Sequence, residues 1–516
     1  MDKINILWAD DEIDLLKPHI LFLKEKGYNV KTVTNGDDAF ELVKGEHFDI
    51  VFLDENMPGV SGLETLSQIK QLDSTLPVVM ITKSEEESIM EDAIGSKIAD
   101  YLIKPVNPNQ LLLTLKKNLD HKRLIREKTN SGYQQEFRQI GMNLSDRLNF
   151  EEWVEMYKKL VFWELEIHGN KEGMAEILDM QKSEANNLFS RFIERNYINW
   201  LNGKDSNPPV MSHTLFKKKI VPVLDSEESV FVVVIDNLRF DQWKVIQPVV
   251  NELFRTEEED IFYSILPTAT QYARNAIFAG LLPSEIEKRF PKMWLNDEDE
   301  GGKNQFEADF LADQLRRLNR DVKHSYTKIT NHNAGKKLAE SVSNLMQNKL
   351  NVIVYNFVDM LSHSRTDMDV IRELADDETA YRSITLSWFN HSPLWDIFQQ
   401  IAAKKATLII TTDHGTIRVK NASKLVGDRT VNTNLRYKQG RNMQWQKNDV
   451  MEVKNPSDAF LPKQNISSAF VFAKGDNFFA YPNNYNHYVN HYRDTFQHGG
   501  ISLEEILIPF VVLKAK

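Results

Sequence analysis

Five short apolar runs, Ile4 to Trp8, Val30 to Val33, Ile50 to Leu53, Val78 to Ile81 and Tyr101 to Ile103, alternate with segments of helical period over the first 120 residues. No other feature constrains the fold as much. A strand that is apolar on both faces must be covered on both sides, and crossover helices supply that cover. The pattern therefore predicts a parallel sheet between two helical layers. Such sheets place their chemistry beyond the carboxyl ends of the strands. Those ends carry Asp10 and Asp11 after the first run, Asp54 after the third, Thr82 after the fourth and Lys104 after the fifth. Three carboxylates gathered at one edge repel one another unless a cation sits among them, and an all-oxygen set suits magnesium.

The C-terminal half repeats the theme. Phe231 to Ile235 ends in Asp236, Val352 to Phe357 ends close to Asp359 with His363 beyond it, and Thr407 to Thr411 ends in Asp413 and His414. His498-Gly499-Gly500 precedes a last apolar run, Ile506 to Val512. In a parallel sheet these acids and imidazoles face one crevice. Cysteine is absent, which excludes thiolate metal sites and disulfides and fits a reducing compartment. Six carboxylate and imidazole groups suit two cations rather than one, with zinc or manganese favoured. Between the first two of these strands lies Ile265 to Leu281, in which Pro267, Thr268 and Thr270 open a helical pattern. A hydroxyl at a helix start is ordinarily an N-cap, but backbone N–H groups there can also receive an anion.

The 516 residues predict three domains: 1–120, a helical bundle over 121–205, and 206–516 with an insertion near 420–490. In the middle segment Trp153, Tyr157, Leu160, Phe189, Phe192, Ile193 and Tyr197 recur at helical spacing. A helix-turn-helix between Met174 and Asn196 fits poorly, since no turn glycine is well placed, and direct sequence-specific DNA binding is not expected. A net charge of −11 and a pI near 5.7 argue against a broad footprint on nucleic acid. No run approaches the roughly 18 apolar residues of a spanning helix, so a cytoplasmic protein is expected.

W-A-D-D-E, L-D-E-N-M-P-G, I-T-K and Y-L-I-K-P resemble the receiver domain of two-component response regulators. That resemblance implies a (βα)5 fold, phosphorylation of Asp54 by a sensor histidine kinase, and one magnesium ion held by Asp10, Asp11 and Asp54. It also implies a switch built from Thr82, Tyr101 and Lys104, and a cis peptide at Lys104-Pro105. The order Asp, P-T-x-T, D-x-x-x-H, D-H-G, H-G-G resembles the alkaline phosphatase superfamily, and P-T-A-T-Q-Y-A-R-N-A-I-F-A-G-L its PglZ branch. The whole chain resembles the PorX-type response regulators, linked to type IX secretion in Bacteroidetes.

The second resemblance implies that Asp359, His363 and His498 hold one metal, and Asp236, Asp413, His414 and Thr270 the other. Thr270 takes the nucleophile's place because ten positions separate it from Gly280, and Thr268 caps or orients the turn. Arg274 and Asn275, one helical turn on, could touch a phosphoryl oxygen. Arg436, Tyr437, Lys438 and Arg441 in the insertion form a candidate substrate lid, because basic groups beside an aromatic can grip phosphates and stack a base. The expected function is a receiver-controlled, zinc-dependent phosphodiesterase acting on nucleotides or oligonucleotides, dimeric on phosphorylation. The alternative is a signalling adaptor whose hydrolase-like half docks a sigma factor or a secretion-motor component. The acidic stretch Asn296 to Glu300 reads as an exposed loop and receives no role.

Overall fold

The computed structural model describes residues 4–516 except 74–75, 83–97, 116–117, 119–135, 145–146, 168–173, 298, 300, 357, 360–376, 428–430, 464, 466 and 484. The chain divides into two compact units, Met1–Gln135 and Glu136–Lys516. In the first, β1 (Asn5–Ala9), β2 (Asn29–Val33), β3 (Ile50–Asp54), β4 (Val78–Thr82) and β5 (Asp100–Ile103) pair in parallel in the order β2-β1-β3-β4-β5. Alternate residues feed two cores. Ile6, Trp8, Ile50, Phe52, Val79 and Ile81 enter one, and Leu7, Ala9, Val51, Leu53, Val78 and Met80 the other. At roughly 1.5–3 kcal/mol per large apolar side chain, this two-sided burial is what holds the continuous apolar runs in the centre of the sheet. The covering helices start at local signals. Asn35 accepts a hydrogen bond from the Asp38 N–H, and Ser61 with Glu64 forms a capping box.

The second unit contains a six-stranded sheet built from β6 (Val230–Ile235), β7 (Phe254–Tyr263), β8 (His324–Ile329), β9 (Leu350–Tyr355), β10 (Thr407–Thr411) and β11 (Leu507–Ala515). Its order is β7-β11-β10-β6-β9-β8, and β11 runs antiparallel to both neighbours while the remaining pairs are parallel. The buried strands β6, β9, β10 and β11 are those visible as apolar runs. The edge strands β7 and β8 are polar, as edges that must resist further pairing commonly are.

The helices Phe150–Ile167 and Met174–Leu201 belong to this second unit. Trp153 meets Phe189 edge-on at 5.3 Å, and Trp200 meets Tyr263 of β7 at 5.6 Å. The Tyr263 hydroxyl donates to the Phe150 carbonyl at 2.7 Å, and the Leu266 N–H donates to the Tyr197 hydroxyl at 2.8 Å. Residues 174–201 form one uninterrupted helix, so the turn a helix-turn-helix needs is absent there. Beyond β10 the chain builds small sheets that include Tyr437–Gly440, Val450–Val453 and Ala469–Ala473. Among the described residues no helix is long and apolar enough to cross a membrane.

Candidate active site

At the carboxyl edge of the first sheet, Lys104 Nζ lies 2.9 Å from Asp10 Oδ2 and 3.0 Å from Asp54 Oδ1. Asp10 and Asp54 are buried, while Asp11 is exposed beside them. Burial, aided by Asp10 and Asp11 and opposed by Lys104, lifts the Asp54 carboxyl to about 6. Burial alone would lower the Lys104 ammonium, but its bonds to Asp10 and Asp54 reverse the sign and raise it. Asp10, Asp11 and Glu12 present carboxylate oxygens within 4.8 Å of one another. An all-oxygen set crowded in this way fits a hard divalent cation such as magnesium. Thr82 donates its hydroxyl to Glu55. Tyr101 is 41% exposed and so is not a core tyrosine. The Lys104-Pro105 peptide is cis.

In the second unit the ends of β6, β9 and β10 deliver Asp236, Asp359 and the Asp413-His414 pair to one crevice. Thr270 begins the helix Thr270–Ala279, and the preceding residue, Ala269, is the N-cap. Its hydroxyl is therefore not consumed by capping. Thr270 Oγ1 lies 3.0 Å from His414 Nε2 and 3.4 Å from Asp236 Oδ1. Gly280 closes the helix at φ 57°, a left-handed C-cap that glycine accepts without strain. Thr268 is fully buried; its Oγ1 donates to the Gly500 carbonyl and accepts the Gly499 N–H, so it orients the turn that carries His498.

Ligand atoms of Asp236, Asp413 and His414 lie within 4.8 Å of one another. Asp413 Oδ1 accepts the N–H groups of Asn237 and His414, whereas Oδ2 is buried with no hydrogen-bond donor. Burial and the neighbouring Asp236 drive the Asp413 carboxyl well above its ordinary range. Burial also pushes Asp236 up, but Arg274, His414 and His498 more than reverse this and keep it low. His414 Nδ1 faces the Gly415 carbonyl at 3.1 Å, and His498 Nδ1 faces the Thr268 carbonyl at 3.1 Å. A carbonyl only accepts, so both Nδ1 atoms carry the proton and each Nε2 presents a lone pair, that of His414 toward Thr270 Oγ1. The two rings stack at 4.3 Å, and His498 Nε2 is 3.7 Å from Asp359 Oδ1. Burial lowers the His414 imidazole, with partial opposition from Asp236, so it stays neutral as a ligand must. A buried carboxylate oxygen without a donor, 3.9 Å from the His414 Nε2, fits a borderline-soft divalent cation. His363 lies outside the described residues.

Several expected substrate contacts are placed elsewhere. Arg274 is buried, with Nη1 2.5 Å from Asp236 Oδ2 and Nε 2.6 Å from Glu307 Oε1. It orients a ligand carboxylate from below instead of facing a phosphoryl group. Asn275 is also buried, donating to the Lys303 carbonyl at 3.2 Å and accepting from Asn304 at 3.0 Å. The lid reading fails for three of its four residues. Arg436 is fully buried against Glu505 at 2.6 Å, Tyr437 donates to Asp297 at 2.8 Å, and Lys438 donates to the Asn432 carbonyl at 2.8 Å. Burial brings the Lys438 ammonium down to about 7. These residues lie within or beside the strand Tyr437–Gly440, which pairs with Ala469–Ala473 and has all four residues buried; only Arg441, just past its end, is exposed. Glu307, Asn237 and Asp297 were not foreseen, because each acts through contacts distant in sequence.

The helices of residues 150–201 reach the same centre through a buried ionic junction. Glu164 accepts from Arg382 at 2.6 Å and from Lys182 at 2.5 Å, and Arg382 also donates to Asp241 at 3.0 Å. Arg239 Nη2 pairs with Asp241 at 2.5 Å and with Glu378 at 2.6 Å. Asn186 donates to Glu504 at 3.1 Å and accepts the Leu503 N–H at 2.7 Å. Arg239 and Asp241 follow Asp236 closely, and Leu503 and Glu504 follow His498. Glu164, Asp241 and Glu378 could meet around a cation, but Arg239, Arg382 and Lys182 already supply the positive charge there.

Residues 215–513 match the BREX system PglZ alkaline phosphatase-like domain, residues 123–201 the PorX response regulator linker domain, and residues 6–116 the response regulator receiver domain. Fold and site together define a two-component response regulator joined to an alkaline phosphatase-like domain. The chain belongs to the PglZ family and, with its receiver and linker, to the PorX-type response regulators. The receiver implies a sensor kinase as partner, and the alkaline phosphatase-like domain suggests a metal-dependent hydrolase. Curated relatives match the receiver end. The Salmonella typhimurium phosphoglycerate transport system transcriptional regulatory protein PgtA is 34% identical over 124 residues, 24% of this chain and 30% of its own. Transcriptional regulatory protein ZraR of Escherichia coli K12 is 34% identical over 140 residues, 27% of this chain and 32% of its own. This chain thus spans about a third of those relatives' length. Among solved structures, the chemotaxis response regulator CheY4 of Vibrio cholerae is 27% identical with a TM-score of 0.22, covering 23% of this chain and 100% of that one.

Proposed function

We propose that the second unit is a zinc-dependent phosphodiesterase with Thr270 as nucleophile, governed by phosphorylation of Asp54 in the receiver. The observation that carries the reading is Thr270 Oγ1, free of capping and within 3.0 Å of His414 Nε2, beside the donorless buried oxygen of Asp413. Asp236, Asp413 and His414 would hold one metal beside Thr270, and Asp359 and His498, with His363, the other. Manganese is the alternative ion. Metals in such a site lower the pKa of a coordinated hydroxyl and neutralise charge on the phosphoryl oxygens.

The chain's own residues perform the rest. Thr270 Oγ1 forms a bond to phosphorus as the ester bond to the leaving alcohol breaks, and that alcohol takes up the hydroxyl proton. Water then cleaves the phosphothreonine and returns the hydroxyl. Arg274 fixes Asp236, and Thr268 fixes the turn of His498. Nucleotide or oligonucleotide substrates belong to the proposal on the family resemblance, since the basic side chains of the candidate lid are mostly buried. Control of type IX secretion, directly or through a sigma factor, is proposed on the same ground, as are three functional segments with boundaries near residues 120 and 205.

Purified full-length protein should hydrolyse a nitrophenyl phosphodiester, lose turnover on chelation and regain it with zinc. Thr270→Ala should keep its metal and lose turnover. Turnover at the wild-type level in that variant refutes the nucleophile assignment.

A further inference from the structure

The helix that presents Thr270 has alanine at its N-cap, so no side chain caps its first turn. An Ala in place of a capping residue forgoes about 1 kcal/mol. The hold comes from the polar segment 295–307. Gln271 Nε2 donates to the Leu295 carbonyl at 2.7 Å, and Tyr272 donates its hydroxyl to Asp297 Oδ1 at 3.3 Å. Asn275 donates to the Lys303 carbonyl at 3.2 Å, and Arg274 Nε donates to Glu307 at 2.6 Å. Asn304 Nδ2 donates to the Thr270 carbonyl itself at 3.0 Å. Five of the six residues from Thr270 to Asn275 are thus tied to one segment, Ala273 being the exception.

Asp297 does more than anchor the helix. Its second oxygen, Oδ2, accepts from the Tyr437 hydroxyl at 2.8 Å and from Asn432 Nδ2 at 2.8 Å. The Tyr437 ring lies edge-on to Tyr272 at 5.9 Å and presses against Gly499 so closely that a Cβ there would clash with its Cδ1. Gly499, at φ 119°, adjoins His498. One carboxylate therefore bridges the nucleophile helix and the wall behind the second candidate metal's imidazole. Burial and the Asp297 charge hold both phenols far above their ordinary range, which keeps them as donors.

We infer that Asp297 is a positioning residue of the hydrolase site: through Tyr272 and Tyr437 it sets the place of Thr270 relative to His498. The inference rests on Thr270 being the nucleophile. Displacing a nucleophile by about 1 Å can lower a rate on the order of 10²-fold. Asp297→Ala should therefore lower kcat at least about tenfold with KM and bound metal unchanged, and should speed amide hydrogen exchange over residues 271–276. Tyr437→Phe, which removes one donor and leaves the carboxylate and the ring, should lower kcat severalfold and decides the matter if Asp297→Ala does not fold. A folded Asp297→Ala protein with kcat within twofold of wild type and unaltered exchange overturns the inference, as does an unaltered Tyr437→Phe. Thr270→Ala run in parallel separates the two failures. Retained turnover there sinks the nucleophile reading, whereas an inactive Thr270→Ala beside a fully active Asp297→Ala sinks only the role of Asp297.

Discussion

Replacing Glu164 by glutamine tests whether the helices of residues 150–201 are part of the hydrolase domain or merely lie on it. Glu164 is 2% exposed and takes Arg382 on one oxygen at 2.6 Å and Lys182 on the other at 2.5 Å. Removing its charge leaves two buried cations short of a counter-charge. Breaking a buried pair from one side costs about 3–5 kcal/mol. Arg382 keeps Asp241 at 3.0 Å and Lys182 keeps Glu504 at 3.5 Å. The loss should therefore fall near the lower end, about 3 kcal/mol, or some two powers of ten in the unfolding constant. Of the nine tryptophans only Trp8 lies in the first unit, so tryptophan fluorescence during urea unfolding reports on the second. With a urea dependence of about 3 kcal/mol per molar, the midpoint should fall by about 1 M. Changing Glu164 and Arg382 together to methionine should destabilise by less than the sum of the single changes, because an unpaired charge is no longer buried. A midpoint shift below about 0.2 M, or strict additivity, would mean that the junction is worth no more than a surface bridge and that the reasoning is wrong.

Three further outcomes are expected. Beryllofluoride, which mimics the phosphoryl group on Asp54, should convert the chain to a dimer in sedimentation velocity; an unchanged mass counts against phosphorylation-driven association. Burial, with Lys218 adding to it, pushes His213 down to about 4 from an ordinary 6.5, so the unfolded chain takes up the proton first. Its contribution is then complete above the unfolded value and lost as pH falls, by about 2 kcal/mol between pH 7 and pH 5. His213→Gln should flatten that part of the stability profile relative to wild type, and an unaltered slope refutes the assignment. Gly415→Ala should weaken metal retention and lower turnover more than about tenfold, because the new Cβ would strike the Glu504 carbonyl oxygen and displace the Asp413-His414 turn. Metal analysis of the purified variant checks this.

The junction also ties the two linker helices to the candidate hydrolase site. Lys182 and Asn186 touch the segment that follows His498, and Glu164 reaches the one that follows Asp236 through Arg382, so a displacement of those two helices arrives beside candidate metal ligands. The linker helices are built into the same compact unit as the site they serve.

What was legible in the sequence was whatever a short stretch decides by its own burial. The runs that become β1, β3, β4, β6, β9 and β10 are apolar because both their faces are covered, and the acids at their ends follow from where parallel strands stop. The edge strands β7 and β8 escaped notice because polar side chains suit a strand with one neighbour. The charge of Arg274 and Arg436 was visible, but its use was not. A guanidinium reads the same whether it faces solvent or, as here, a buried carboxylate 2.5–2.6 Å away that comes from far along the chain. Asp297 is the clearest case. In the sequence it is one acid in an exposed-looking run; only the folded chain brings Tyr272, Asn432 and Tyr437 to its two oxygens. Local burial and periodicity are properties of a segment, whereas the partner of a buried charge is a property of the whole fold.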